Sequence, residues 1–257
     1  MVVLAACLVY VVTVTAAGPL LLTSGQWQVW YPRLALACWH LALASSAAVL
    51  IFGVGFAIIR ASAGESGRQG LAALLPGLAI WLMLFVVGAL SALFLGQSEH
   101  VVRQEHSRRD ELRDALHGCA REAEIYDGLT VHYLDDISAV ACSFRAPEPT
   151  VVLTSGLRAQ LTRPQLDAVI EHERAHLDQR HHFALLLAGL NRACLPRFGP
   201  ARRLDRMTRL LVELIADDES VRRCGRDTVA SALAAIAQLT ANPGLAARSE
   251  RVLAATK

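Results

Sequence analysis

Charge is what the first third of this chain lacks. Residues 1–98 hold four formally charged side chains, Arg33, Arg60, Glu65 and Arg68, whereas residues 99–257 hold 22 basic and 22 acidic ones. A soluble globular domain does not distribute charge in this way, and the even balance of the later part excludes a basic nucleic-acid-binding domain. No Lys or Arg precedes the apolar stretch that ends near Leu22, and no convincing cleavage site follows it, so a secretory signal peptide is not indicated. The six cysteines, at 7, 38, 119, 142, 194 and 224, form no CxxC pair, and two of them lie in apolar runs. That excludes a disulfide scaffold and a cysteine zinc knuckle. The chain also lacks internal repeats and coiled-coil heptads.

What it has instead is long apolar segments. Leu34–Ile59 and Gly70–Leu95 are each 26 residues without a charge, against roughly 20 helical residues needed to cross the hydrocarbon. Three transmembrane helices are expected, about Val2–Leu22, Leu34–Ile59 and Leu71–Leu95, so that residues 1–98 form the membrane part. Alternation of the spans puts Arg33 on the same side as Arg103, Arg108, Arg109 and Arg113, with Arg60 and Arg68 opposite. This bias predicts a cytoplasmic location for the large polar region, 99–257. His40, alone in the second span, reads as a structural residue.

Beyond the spans, Glu99–Ile125 reads as a helix leaving the membrane. Strands are expected at Leu129–Tyr133, Ala139–Phe144 and Val151–Thr154, separated by turn and proline signals. Thr162 with Gln165 fits a capping box, with Pro164 in the first turn, so a helix begins there. Residues 181–198 are apolar but interrupted by Asn191 and Arg192, and are expected to form a re-entrant or interface-lying hairpin, with a full fourth crossing as the competitor. Arg202–Cys224 and Val229–Leu239 complete the expected helices.

The chemistry lies at residues 171–182, EHERAHLDQRHH. His172, Glu173 and His176 match H-E-x-x-H. Residues four apart share one helical face, so both imidazoles can approach one Zn²⁺ while Glu173 lies close enough to take a proton from water. Catalytic zinc takes a third protein ligand and leaves a position open. Glu213 is the candidate, from the later element VELIADDES, with Asp217 one turn on and able to orient a histidine ligand. The competing reading makes Glu213, Asp217, Asp218 and Glu219 a solvated acidic face. His181 and His182 compete for the ligand role only if the helix ends before them.

These elements carry a resemblance. Together with VVLTSGL at Val151–Leu157 and LTRPQLDAVIEHERAH at Leu161–His176, the ExxxD element at Glu213–Asp217 resembles the integral-membrane gluzincin peptidases. The specific likeness is to the bacterial antibiotic-sensor regulatory peptidases, whose wider kin include the membrane heat-shock and prenyl-protein endopeptidases. The resemblance implies a multi-pass α-helical membrane protein with a zincin-like α+β metallopeptidase domain at 99–257. It also implies zinc on His172, His176 and Glu213, with Glu173 as general base. About 15 to 20 residues follow the last expected helix, far short of the order of 200 that an extracellular penicillin-binding domain needs. Sensing of β-lactams by acylation is therefore not expected.

The expected reaction is hydrolysis of protein or peptide substrates at the bilayer of the bacterial plasma membrane, acting on a regulatory repressor or a membrane protein, with no nucleic acid partner. The strand Val151, Val152, Leu153 and Thr154 is a candidate for pairing an extended substrate, and equally reads as an ordinary member of the sheet. Tyr126, Tyr133, His181, Arg222 and Arg223 are chemically able to steady the oxyanion. A non-catalytic signalling or assembly protein, held together by its zinc, is the alternative; a transporter is disfavoured by the lack of a polar pathway.

Overall fold

A computed structural model of the chain describes residues 2–22, 24–62, 120–145 and 148–255, with isolated positions at 81, 85, 88, 92, 96 and 103. The third expected span, Leu71–Leu95, therefore lies outside the described residues apart from isolated positions, as does 99–119 of the expected exit helix. Two compact units divide the chain: Met1–Val101 with Leu187–Thr208, and Val102–Leu186 with Arg209–Lys257.

In the first unit, α1 (Val2–Leu22) and α3 (Pro32–Ser62) flank the single turn α2 (Trp27–Trp30). Both long helices are apolar enough to cross a membrane, over Val2–Leu22 and Pro32–Ile59. Large apolar side chains such as Val9, Leu41, Ile51 and Phe52 face outward, while the small residues Ala35 and Ala57 are buried. Tyr10 donates a hydrogen bond to Ser45 across the pair at 3.0 Å. Small residues inside and large apolar ones outside suit a hydrocarbon surrounding, where close backbone packing replaces hydrophobic burial. His40 bonds its own helix at Leu36 O, 2.9 Å away, the structural role expected of it.

The second unit is built on a sheet of order β1-β2-β4-β3. Its strands are β1 (Ala120–Tyr126), β2 (Leu129–Leu134), β3 (Ala141–Arg145) and β4 (Pro149–Thr154). Strand β1 corrects the expectation that the exit helix runs on to Ile125. Asp127 and Gly128 both adopt positive φ, 44° and 77°, the geometry of a tight hairpin turn that an Asp-Gly pair favours. Strands β1 and β2 pair antiparallel, β2 and β4 parallel, and β3 and β4 antiparallel.

Helices α4 (Ser155–Gln160), α5 (Arg163–Asp178), α6 (His181–Cys194), α7 (Gly199–Cys224), α8 (Arg226–Thr240) and α9 (Pro243–Ala254) follow. The capping box of α5 forms, with Gln165 accepting from the Thr162 backbone N–H at 2.9 Å. Leu166, Val169, Ile170 and Leu177 on α5 pack against Leu129, Val131, Val151 and Leu153 of the sheet. Ser220 of α7 donates to the Ala168 carbonyl of α5 at 2.7 Å. This buried bond fixes α7 alongside α5, and so places the acidic stretch Glu213–Glu219 of α7 beside the histidine helix. Helix α9 lies beyond the last helix expected from sequence, and the signal for it is Asn242, whose side chain caps Gly244, followed by Pro243.

Candidate metal centre

His172 and His176 stand one turn apart on α5, and Glu213 meets them from α7. His172 Nε2 lies 3.1 Å from His176 Nε2 and 3.4 Å from a Glu213 oxygen, and His176 Nε2 lies 3.6 Å from the other. Bonds of about 2.0–2.1 Å at a tetrahedral angle separate donors by roughly 3.3 Å, so the three fit the spacing of one zinc-sized ion. Among the described residues they form the one His/Cys/Asp/Glu group so disposed. The structure thus brings together the paired imidazoles and the distant glutamate expected from sequence.

Each histidine has a partner on its far nitrogen. His172 Nδ1 lies 3.1 Å from Asp217 Oδ1, and the Asp217 side chain is fully buried. A carboxylate at Nδ1 leaves Nε2 facing the centre and raises its basicity. His176 Nδ1 lies 2.9 Å from Nδ1 of His181, the first residue of α6. Helix α5 ends at Asp178, and Arg180 at φ 50° turns the chain back so that this third imidazole arrives behind the second. His182 is instead exposed, its ring tilted against Phe183 with centroids 4.1 Å apart.

Glu173 faces β3, where Ser143 donates to its Oε2 at 2.7 Å. Burial pushes the Glu173 carboxyl up, while His172 and the Ser143 hydroxyl pull it down. Burial alone would lower His172, but its bonds to Asp217 and Glu213 overturn this and carry it up to about 9. Burial, reinforced by the neighbouring His172 charge, lowers His176 to about 4. For Glu213 burial acts upward, but His172 and Arg248 outweigh it and hold the carboxyl at about 2. Asp217 is likewise depressed against the effect of its burial, by Arg248 and His172.

Arg248 of α9 was not anticipated. It contacts both Glu213 and Asp217, and it lines the same cavity as His172, Glu173, Ala139 and Ala141. The oxyanion candidates named from sequence are placed elsewhere. Arg222 pairs with Glu219 and Arg223 with Glu171, while Tyr126 and Tyr133 sit on strands under Arg174 and Arg158. His181 meets the rear of His176.

The strand proposed for substrate pairing is corrected. Val151–Thr154 lies in β4, between β2 and β3 and buried throughout, so its backbone groups are consumed on both sides. Among the described residues, β3 is the edge of the sheet on the side of the metal centre, and its Ser143 bonds Glu173.

Residues 39–235 match the BlaR1 peptidase M56 family. The chain belongs to that family. No curated protein and no solved structure matches it. The matched span of this M56 peptidase contains His172, Glu173, His176, Glu213 and Asp217, whereas Arg248 falls outside it. With the two apolar helices, membership fits a membrane-associated metallopeptidase, and the His172, His176 and Glu213 group could hold its metal.

Proposed function

We propose that this M56 peptidase is a zinc-dependent endopeptidase that cleaves protein substrates at or near the bacterial plasma membrane, in regulatory or quality-control proteolysis. The observation that carries this reading is the triangle of two imidazole nitrogens and one carboxylate oxygen, with Glu173 beside it.

His172, His176 and Glu213 would hold the zinc ion, and Asp217 and His181 would fix the two rings. When bound, zinc supplies polarisation of the scissile carbonyl and a lowered pKa for water. Glu173 accepts the proton of the attacking water and passes it to the leaving nitrogen, as a general base and then a general acid. Ser143 holds Oε2 of that carboxylate, which leaves Oε1 to carry the proton. An extended substrate pairs with β3, Ala141–Arg145, an edge strand among the described residues, and its main chain is thereby laid past Glu173.

In this reading α1 and α3 are membrane spans of a multi-pass chain, and the arginine bias places the peptidase unit in the cytoplasm. Helix α6, 14 residues long, covers about 21 Å against roughly 30 Å of hydrocarbon, so it lies at the interface instead of crossing. The test is Glu173→Gln in purified full-length protein. Metal content should stay at one zinc per chain while peptide hydrolysis falls by about 100-fold or more. Undiminished hydrolysis would remove Glu173 from the reaction.

A further inference from the structure

The corner between α6 and α7 is strongly basic. Residues 192–206 contain Arg192, Arg197, Arg202, Arg203 and Arg206 against one acid, Asp205. That acid is buried, 2% exposed, and receives Arg192 at 3.1 Å. Arg197, Arg202 and Arg206 are exposed, and no ion pair joins them to a carboxylate among the described residues. Arg202 and Arg206 stand one turn apart on α7, so they share a face.

This corner belongs to the same compact unit as α1–α3. Val14 and Pro19 of α1, Trp39 and Ser46 of α3, and Leu195 and Leu204 of the corner line one small cavity. The corner is thereby seated on the half of the helix pair that ends in the Leu22–Pro32 connection. That connection carries Trp27, Trp30 and Tyr31, with Trp30 43% and Tyr31 64% exposed, and Arg33 follows in the first turn of α3. Aromatic rings with polar tips at the end of apolar helices mark the headgroup level of a bilayer. Leu187 and Leu195, both exposed, add apolar contacts beside the arginines.

We propose that the α6–α7 corner is a binding surface for anionic phospholipid, with Arg197, Arg202 and Arg206 as its headgroup phosphate contacts. Guanidinium groups match phosphate through paired N–H donors. The apolar and aromatic neighbours favour a lipid over a nucleic acid, which would need the arginines clear of the bilayer. The inference rests on the membrane reading of α1 and α3 and is independent of peptide hydrolysis.

The full chain, purified in neutral detergent, is titrated with dioleoylphosphatidylglycerol or dioleoylphosphatidylcholine, and bound lipid is counted by native mass spectrometry. Phosphatidylglycerol should be preferred, and the preference should shrink as salt is raised. Each basic residue near an anionic surface is worth about fivefold, so R197Q/R202Q/R206Q should lose about 100-fold of it. R197K/R202K/R206K should retain most of it, and R163Q/R180Q/R222Q, with the same loss of net charge elsewhere, should behave as the parent. Equal binding of the two lipids, or equal loss in both glutamine triples, would overturn the proposal. So would a short DNA duplex that displaces the lipid from the parent chain, or inorganic phosphate that does so at millimolar concentration. Failure of the membrane reading would show separately, as a chain that stays monodisperse without detergent.

Discussion

Arg248 grips both carboxylate oxygens of Asp217, through Nε at 2.8 Å and Nη2 at 2.7 Å, while Nη1 reaches Glu213 at 2.8 Å. One guanidinium from the last helix thus aligns the acid that orients His172 and the acid that completes the metal triangle. Asp217 is fully buried, so loss of the arginine leaves a carboxylate without its main counter-charge. Arg248→Ala should destabilise the metal-free protein by about 3–5 kcal/mol and weaken zinc binding by about 10–100-fold. Arg248→Lys should recover part of the stability but little of the zinc affinity, because a point charge cannot span two oxygens. Chemical denaturation and competition with a zinc-sensitive dye measure the two effects.

Ser143 offers a cleaner separation of metal binding from chemistry. It touches only the general base of the centre, through the 2.7 Å bond to Glu173 Oε2. A hydrogen bond to a charged group is worth about 1.5–3 kcal/mol, so Ser143→Ala should lower kcat by about 10–100-fold with zinc content unchanged. Steady-state kinetics beside metal analysis decides this, and a fall in zinc content would show that Ser143 acts on the site's structure.

Zinc binding should release one proton at neutral pH. With His172 raised to about 9, that ring is charged in the metal-free protein at pH 7, whereas His176, lowered to about 4, is already neutral. Glu213, at about 2, is already ionised. Only the His172 proton must leave for zinc to bind. Apparent affinity should therefore rise about tenfold per pH unit through neutrality and flatten above about 9. Calorimetry in buffers of different ionisation enthalpy counts the proton directly.

Gly156 tests the loop that walls the centre. A Cβ there would meet the Ile137 carbonyl oxygen at 2.2 Å and its carbon at 2.4 Å, and backbone cannot swing aside as a flexible side chain can. The Gly156 N–H also donates to Asp136 O at 2.8 Å. Gly156→Ala should cost about 1–3 kcal/mol and shift the segment that carries Ala139 and Ala141 into the cavity. Thermal unfolding should show the loss, and hydrolysis should weaken with zinc still bound.

Local pattern was enough for much of the site. The H-E-x-x-H spacing, the Thr162–Gln165 capping box and the ExxxD spacing of Glu213 and Asp217 are each set within a few residues, where helical periodicity alone decides which side chains share a face. The Asp127–Gly128 turn was equally local, and its hairpin signal contradicts the continuous exit helix expected up to Ile125. Local pattern marks Val151–Thr154 as a strand but leaves open whether it lies at an edge or inside the sheet, because the order of strands depends on the β2–β4 parallel pairing, which joins segments about 20 residues apart.

Residue order alone makes charge scarce in the first 98 residues, which hold four charged side chains, and sets two imidazoles and a glutamate on one helix in the pattern of a metal centre. Folding, not local pattern, makes β3 the sheet edge beside Glu173 among the described residues, returns His181 to the rear of His176, and closes Arg248 on Asp217 from a separate helix. Periodicity fixes what a helix presents on each face. Which partner arrives at that face is set by burial and hydrogen bonding between distant segments, such as Ser220 on Ala168, and no window of sequence contains both ends of such a contact.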